Sequence, residues 1–474
     1  MIHKMRLARL RVLSALCILG SLTACSVGPD YVRPDMEVPQ AYKETGNWKP
    51  AEPADTRSRG KWWEIYGDAT LNDLIEQANA RNQDIQAELA TYRQARAAAQ
   101  AARAGFLPTL DASAGASRSR SSSKVGNSFN LGLDASWEAD LWGKVARDVE
   151  ASEATMQADV ATVAATRLST QASLAQDYFQ LRVTDATIAL QKETLANYER
   201  ALQITRNQLA VGIVTRADVA SAQTQLKSTQ AALIDLGVTR AQLEHAIAIL
   251  IGKPPASFGL PASTSPEYAA NLPELPAELP SALLERRPDV AAAERKVAAA
   301  NAQIGVAQAA FYPSLGLSTS GGYQGSRLGD LFDVPGRVWS LGASLAGSLY
   351  DGGLRRAQKQ EAIANYDATV AQYRQTVLGA FQDVEDNLVA LQLLADEARV
   401  QDEAVQAALE AQRLAMDQYK AGTAVYSSVI VAQASANSAQ RTAMTLLGRR
   451  YSAHVLLIKA LGGDWLPGQA AATP

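Results

Sequence analysis

Few side chains in this 474-residue chain could carry covalent, redox or metal chemistry. There are two cysteines, Cys17 and Cys25, and three histidines. His245 and His454 lie in Ala/Leu-rich stretches of helical character, with no neighbours at metal-ligand spacing. They are expected to be ordinary helix residues. No G-x-S-x-G, P-loop or dinucleotide-binding glycine pattern is present. No catalytic residue, metal ligand or cofactor is therefore expected. Net charge is −3, which leaves no basic footprint for nucleic acid. Only 6% of residues are aromatic while 47% are hydrophobic, a balance that favours long helices over a large mixed core.

The sharpest chemical signal is at the N-terminus. Lys4, Arg6, Arg9 and Arg11 precede a short apolar run, Val12 to Gly20, too short to span a bilayer as a mature helix. Leu22-Thr23-Ala24-Cys25 follows. Small residues before a cysteine, directly after such a run, resemble a bacterial lipoprotein processing site. The expectation is a signal peptide over 1–24 and acyl chains on Cys25; an ordinary signal peptide is the alternative. Cleavage there removes Cys17, and acylation consumes the other thiol, so no disulfide is expected. Ser26 after the cysteine is compatible with outer-membrane sorting.

Repetition organises the rest. At an offset of 205, Gln83–Leu110 lies on Pro288–Leu315, and both end in Phe-x-Pro-x-Leu: Phe106, Pro108, Leu110 and Phe311, Pro313, Leu315. At an offset of 210, Gly143, Gly212 and Gly252 meet Gly353, Gly422 and Gly462. The register changes by five residues, which predicts a longer loop in the second copy. The reading is a tandem duplication over 70–253 and 281–463. An N-terminal acylated extended segment or belt 25–69 precedes it, a Pro-rich linker or belt 254–280 joins the copies, and a tail 464–474 follows.

Between Lys144 and Val211 there is neither Pro nor Gly. As one helix this stretch would run ~100 Å at ~1.5 Å per residue. Leu195, Tyr198, Leu202, Thr205 and Leu209 alternate spacings of three and four, as a coiled-coil seam requires. Val405, Leu409, Met416 and Tyr419 follow a similar pattern in the second copy. Each long helix breaks at one glycine, Gly212 or Gly422, which predicts a hairpin between antiparallel helices. After Pro108 and Pro313 the period changes to two. One β-hairpin is predicted within 108–142, with a loop at Ser121–Asn127, and another within 313–350, whose last strand alternates as far as Leu349. Strands of about ten residues suit a tilted outer-membrane crossing. Four strands leave open edges, which lipid does not tolerate, so a membrane location demands oligomers; a soluble β-layer on a helical bundle is the alternative.

These features resemble the TolC-like outer-membrane factors, most of all the acylated branch that serves resistance-nodulation-division (RND) efflux pumps. The resemblance rests on Cys25-Ser-Val-Gly28-Pro29-Asp30-Tyr31-Val-Arg33-Pro34, on Trp62-Trp63 with Gly67-Asp68 and Leu71, and on Leu279 through Asp289 running to Arg295. Ala300 to Gly305 and Phe311 to Ser314 extend it. It implies a mainly α protein with a small transmembrane β part. Duplicated long-helix hairpins would form an α-barrel tunnel in a homotrimer. Four strands per chain would contribute to a 12-stranded β-barrel. The partners implied are outer-membrane lipid, a periplasmic membrane-fusion adaptor and an inner-membrane RND transporter. The function implied is a passive exit channel for small molecules such as drugs, its transport energy supplied by those partners.

By the same resemblance, Val211, Gly212, Ile213, Ala421, Gly422 and Thr423 are adaptor-docking tips, and Arg216, Asp218, Asp417 and Tyr426 line a periplasmic gate. Relatives often carry acidic residues where this chain has Ala424 and Val431, which leaves Asp218 and Asp417 as the acidic candidates. A solvated helix face or local ion pair is the alternative for Arg216 and Asp218. Metal-ion export, type I protein secretion and a pore-less coiled-coil envelope scaffold stand as alternative functions. The helix–strand junctions are Phe106, Pro108, Phe311 and Pro313, their aromatics suited to a bilayer interface.

Overall fold

A computed structural model describes residues 26–36, 39, 43, 61–121, 124–263, 272–273 and 287–463. Cys25, the segment 1–24, most of the Pro-rich linker and the tail 464–474 lie outside these described residues. The helices are α1 (Ala69–Arg81), α2 (Gln83–Ala104), α3 (Lys144–Ala210), α4 (Arg216–Leu250), α5 (Pro288–Ala309), α6 (Leu354–Lys420) and α7 (Tyr426–Ala460). The strands are β1 (Thr109–Ser121), β2 (Lys124–Ala139), β3 (Ser314–Gly325) and β4 (Arg337–Ala346).

The helices of the two copies match in length one by one, while the strands do not. α2 and α5 each have 22 residues, α3 and α6 each have 67, and α4 and α7 each have 35. The N-terminal part differs from the expected extended segment 25–69: Trp62–Tyr66 form a 3-10 turn, and α1 begins at Ala69. Asn82 separates α1 from α2, because its side chain accepts the backbone N–H groups of Asp84 and Ile85 and so starts a new helix.

The chain divides into two compact units, and each takes residues from both copies. The duplication is thus a unit of sequence and not of packing. One unit spans 90–160 and 292–375 with the N-terminal residues up to 36, and holds the sheet. Its strand order is β1-β2-β3-β4, antiparallel throughout, so β2 and β3 join the two hairpins, with Trp137 opposite Leu317. Two strand boundaries depart from the sequence reading. Pairing in the first hairpin runs on to Ser121 and Lys124, so the polar run Ser121–Asn127 is mostly ladder and not loop. Backbone hydrogen bonds need no apolar side chain, and a polar stretch can carry them where it meets water. β4 ends at Ala346, before Leu349. The connection between β3 and β4 includes the short turn Val334–Gly336.

In this unit residues 26–36 form an extended strap. Val27 N–H donates to Trp142 O at 3.1 Å. Gly28 lies so close to Gly305 that a Cβ there would stand 2.5 Å from the Gly305 Cα. Asn301 donates to Pro29 O, Arg147 bonds Asp30 at 2.8 Å, and Tyr31 donates to Glu294. The close approach explains Gly28, where a side chain would push the strap off Gly305, while a side chain at Gly305 would displace Arg147, which holds Asp30.

The other unit spans 37–89, 161–291 and 376–474. Its core gathers Trp62, Trp63, Leu71, Ile75, Leu174, Phe179, Ile247, Leu388 and Leu457. Phe179 stacks on Tyr451 at 4.5 Å, and Tyr66 meets Phe179 edge-on at 4.7 Å. Each large aromatic buried here contributes ~2–3 kcal/mol. Asp68 caps α1 through Thr70 and Leu71 N–H and also accepts from the Tyr178 hydroxyl at 2.6 Å. That double use accounts for Gly67-Asp68 beside the tryptophans.

Candidate functional site

The sheet has two unlike faces. Leu110, Leu133, Leu317, Trp339, Leu341 and Leu345 share one, and this face is bare in the single chain: Trp339 is 81% exposed and Leu341 78%. Asp111, Ser113, Asp134, Glu138, Ser320 and Ser340 share the other. One row crosses all four strands as Asp111, Asp134, Ser320 and Ser340, with the two serine hydroxyls 2.8 Å apart. Directly opposed carboxylates repel unless water screens them, so this face belongs to an aqueous space. β1 and β4 are both open edges. A surface with one dry face, one wet acidic face and two unpaired edges can line a pore once further strands complete it.

Each junction is tied by a tryptophan. Pro108 directly precedes β1 and Pro313 directly precedes β3, as suits a residue that cannot continue a helix. Trp137 Nε1–H donates to Phe106 O at 3.0 Å, and Trp142 Nε1–H donates to Pro313 O at 2.7 Å. Trp142 also stacks on Tyr312 at 4.8 Å. Phe106 and Phe311 are both exposed.

The two helical hairpins turn alike. Gly212 has φ 75° and Gly422 φ 74°, the left-handed region where a side chain is strained. Ile213 N–H bonds Gln208 O at 2.9 Å, and Thr423 N–H bonds Gln418 O at 3.0 Å. Val211 and Ile213 are each 70% exposed, and Ala421 and Thr423 are exposed as well. Asp218 sits in a capping box: its carboxylate accepts from Thr215 N–H at 2.9 Å and from the Thr215 hydroxyl at 2.7 Å. Asp417 pairs with Arg413 at 3.1 Å. Arg216 has no ion-pair partner among the described residues. Tyr426 is buried, hydrogen-bonded to Thr205, with its ring 5.2 Å from Tyr419. Tyr419 in turn donates to Gln208. Tyr198, Leu202 and Val429 belong to this cluster, with Leu195, Met416 and Tyr419 packed against it, so part of each seam read from spacing meets here, whereas Leu209, Val405 and Leu409 are not in it.

Sequence reasoning missed the anchors. Arg287 is buried, donating to Asp289 at 2.7 Å, to Asp383 at 3.0 Å and to the carbonyls of Ala380 and Ala460. Burial opposes the charge on Asp289, yet the Arg287 guanidinium holds its carboxyl below the usual range. The motif Arg287-Pro288-Asp289 marked the place, but Asp383 lies 96 residues away and no spacing pointed to it. His454 is buried between the Tyr66 hydroxyl at 2.6 Å and Pro273 O at 2.8 Å, and burial pushes its pKa down to about 4. Among the described residues no group of three His, Cys, Asp or Glu could hold a metal ion. No described helix is long and apolar enough to cross a membrane.

The model of the Outer membrane efflux protein family matches residues 74–253 and 279–463. The pyoverdine export outer membrane protein OpmQ of Pseudomonas aeruginosa is 31% identical over 97% of this chain and 98% of its own length. The cation efflux system protein CusC of Escherichia coli K12 is 28% identical over 94% of this chain and 98% of its own. Among solved structures, the outer-membrane channel OprN superposes with a TM-score of 0.85 at 29% identity, covering 93% of this chain and 99% of that one. With the dry-and-wet sheet, the paired long hairpins and the repeat matched twice over, this chain belongs to the outer membrane efflux protein family.

Proposed function

We propose that this chain is the exit duct of a tripartite pump for small molecules such as drugs. It is an outer membrane efflux channel that extends into the periplasm, a passive conduit and not an enzyme. Outer membrane factors act as trimers with an adaptor and an inner-membrane transporter. The observation that carries the reading is the four-stranded sheet with a bare apolar face and two open edges. Three copies supply twelve strands and leave no edge in lipid. A pore-less scaffold would need no such sheet. In planar bilayers the purified protein should conduct, and on gels it should migrate as a heat-modifiable trimer; a non-conducting monomer sinks the reading.

The finer assignments extend this. The adaptor meets the tips Val211-Gly212-Ile213 and Ala421-Gly422-Thr423, where exposed aliphatic side chains cap each hairpin. The transporter behind that adaptor is of the RND class. The gate is held by Tyr426 with Thr205 and by Tyr419 with Gln208, which tie the first hairpin to the second. Asp218 has a double use: its carboxylate caps α4, and its threefold ring favours cations. Asp218→Asn keeps an acceptor for the cap and removes the charge. It should lower cation preference, and an unchanged reversal potential in a salt gradient removes Asp218 from the gate.

Acylation of Cys25 fits the strap. Ser26, the next residue, packs on Gly143 beside the junction of β2 and α3, where the apolar face of the sheet begins. Two or more acyl chains anchored there would enter the same bilayer as the strands. Mass spectrometry of the mature N-terminus checks this, with Cys25→Ser as the unacylated control. For cargo, the curated relatives include a pyoverdine exporter, an antibiotic pump component and a cation efflux protein. Deleting the gene and scoring sensitivity to antibiotics, metal ions and secreted-protein yield separates drug, metal and type I secretion roles.

A further inference from the structure

The dry face of the sheet does not stay apolar to its end. Even-numbered positions of β1 share that face, since Leu110 stands opposite Ala135 and Ala116 opposite Phe129. Continuing in phase, Arg118 stands opposite Asn127 and Arg120 opposite Val125. On β4, Arg337 stands opposite Tyr323, in phase with Trp339, Leu341 and Leu345. All three arginines lie at the strand ends next to the hairpin turns, away from Pro108 and Pro313.

Their height can be worked out. Arg118 is eight residues past Leu110, ~27 Å along a strand and ~21 Å along the bilayer normal at a tilt of ~40°. Arg120 reaches ~26 Å by the same count, and Arg337 stands eight residues from Leu345, again ~21 Å. The apolar band of such barrels is ~25 Å tall, so the three guanidinium groups lie at the hydrocarbon–headgroup boundary. Tyr323 packs on Phe332 at 5.3 Å at the same level, as interfacial aromatics do.

Among the described residues no anion answers these charges. All three arginines are exposed, and none has a hydrogen-bond or ion-pair partner among the described residues. Asp111, Asp134 and Glu138 are on the opposite face, and Asp330 and Asp333 in the β3–β4 connection form no ion pair with them. β1 and β4 are the two edges of the sheet, so closing a barrel from copies of this chain sets β4 of one beside β1 of the next, ~4.8 Å apart. The arginines then converge at each seam. An arginine fork matches phosphate oxygens in pairs.

We propose that each seam binds the phosphate of a lipid headgroup in the outer leaflet, gripped by Arg118 and Arg120 of one chain and Arg337 of its neighbour. This rests on the trimeric-barrel reading, and the test keeps the two apart. Trimers are extracted from outer membranes in mild detergent, and bound phospholipid and glycolipid phosphate is counted by native mass spectrometry. The Arg118→Gln/Arg120→Gln/Arg337→Gln variant should retain about tenfold less, the weight of one strong contact, while lysines at the same positions keep part of it. Asp134→Asn, on the wet face, should retain as much as the parent. A heat-modifiable trimer with undiminished lipid phosphate overturns the proposal. So does saturation of delipidated trimer by inorganic phosphate alone, which would make the site one for free anions. If the triple variant forms no trimer, Arg337→Gln alone should show a smaller loss, and none would overturn it.

Discussion

The two copies share helix lengths to the residue, yet they fasten those helices differently. At the start of their first matched helices, position 82 is Asn and position 287 is Arg. Asn82 donates to Leu250 O, the last residue of α4, and Arg287 donates to Ala460 O, the last residue of α7. The same carbonyl is answered in both copies, by a neutral cap in one and by a buried ion cluster in the other. At 244 and 454 the pair is Glu and His. Glu244 accepts from Leu260 N–H just after the first copy, whereas His454 holds Pro273 and Tyr66. At the tips, Thr215 and Asp218 form a capping box, while Val425 offers no side-chain cap to α7. Duplication fixed where fasteners are needed, and each copy then found its own chemistry for them.

The largest expected contrast is at 82 and 287. Arg287→Ala leaves Asp289 and Asp383 without their guanidinium and two carbonyls without a donor, and should cost about 3 kcal/mol. Asn82→Ala loses one cap and should cost about 1 kcal/mol. Thermal unfolding of both variants in detergent measures the difference; equal losses would mean that the ion cluster adds nothing over a neutral cap.

The second contrast is a matter of pH. The neutral His454 ring accepts from the Tyr66 hydroxyl at Nδ1 and donates from Nε2 to Pro273, and protonation breaks the first bond. Its folded pKa of about 4 lies below the ordinary 6.5, so the folded state binds fewer protons than the unfolded state between these values. Stability is therefore full above pH 6.5 and falls as pH drops toward 4, by up to about 3 kcal/mol. His454→Gln should flatten that limb of the melting-temperature profile, and a profile that keeps its slope assigns the loss elsewhere.

The smallest contrast lies at the tips. Thr215→Val gives the first tip the second tip's residue and should cost about 1 kcal/mol. Val425→Thr with Ser428→Asp builds the missing capping box and should recover a similar amount at the second tip. Hydrogen exchange of the first turn of α4 and α7 reads both. If the second tip must stay loose to open, the Val425→Thr/Ser428→Asp variant should also conduct less often.

Legibility in the sequence followed the range of the interaction. The equal helices, the glycine turns and the proline junctions were all readable, because a break needs only its own residue. The seam from Leu195 to Leu209 was readable because helical spacing repeats locally. The polar run Ser121–Asn127 carries a loop signal in its composition, yet most of it is strand, because its ladder comes from the facing strand and not from its own side chains. The family resemblance points to Asp218 as a gate carboxylate, but its contacts with Thr215 make it a helix cap first.

The sequence by itself settled that two copies of one helix–hairpin–helix plan exist, where each copy turns, and which strand face is dry. Those properties depend on backbone preferences and on periods of 2 and 3.6, which act over a few residues. Tertiary structure alone decided that Arg287 would find Asp383, that Gly28 would lie on Gly305, and that the strands carrying Arg118, Arg120 and Arg337 would form the two edges of one sheet. Such pairings depend on which faces meet after the chain folds back over 96 residues or more, and no local period encodes that choice.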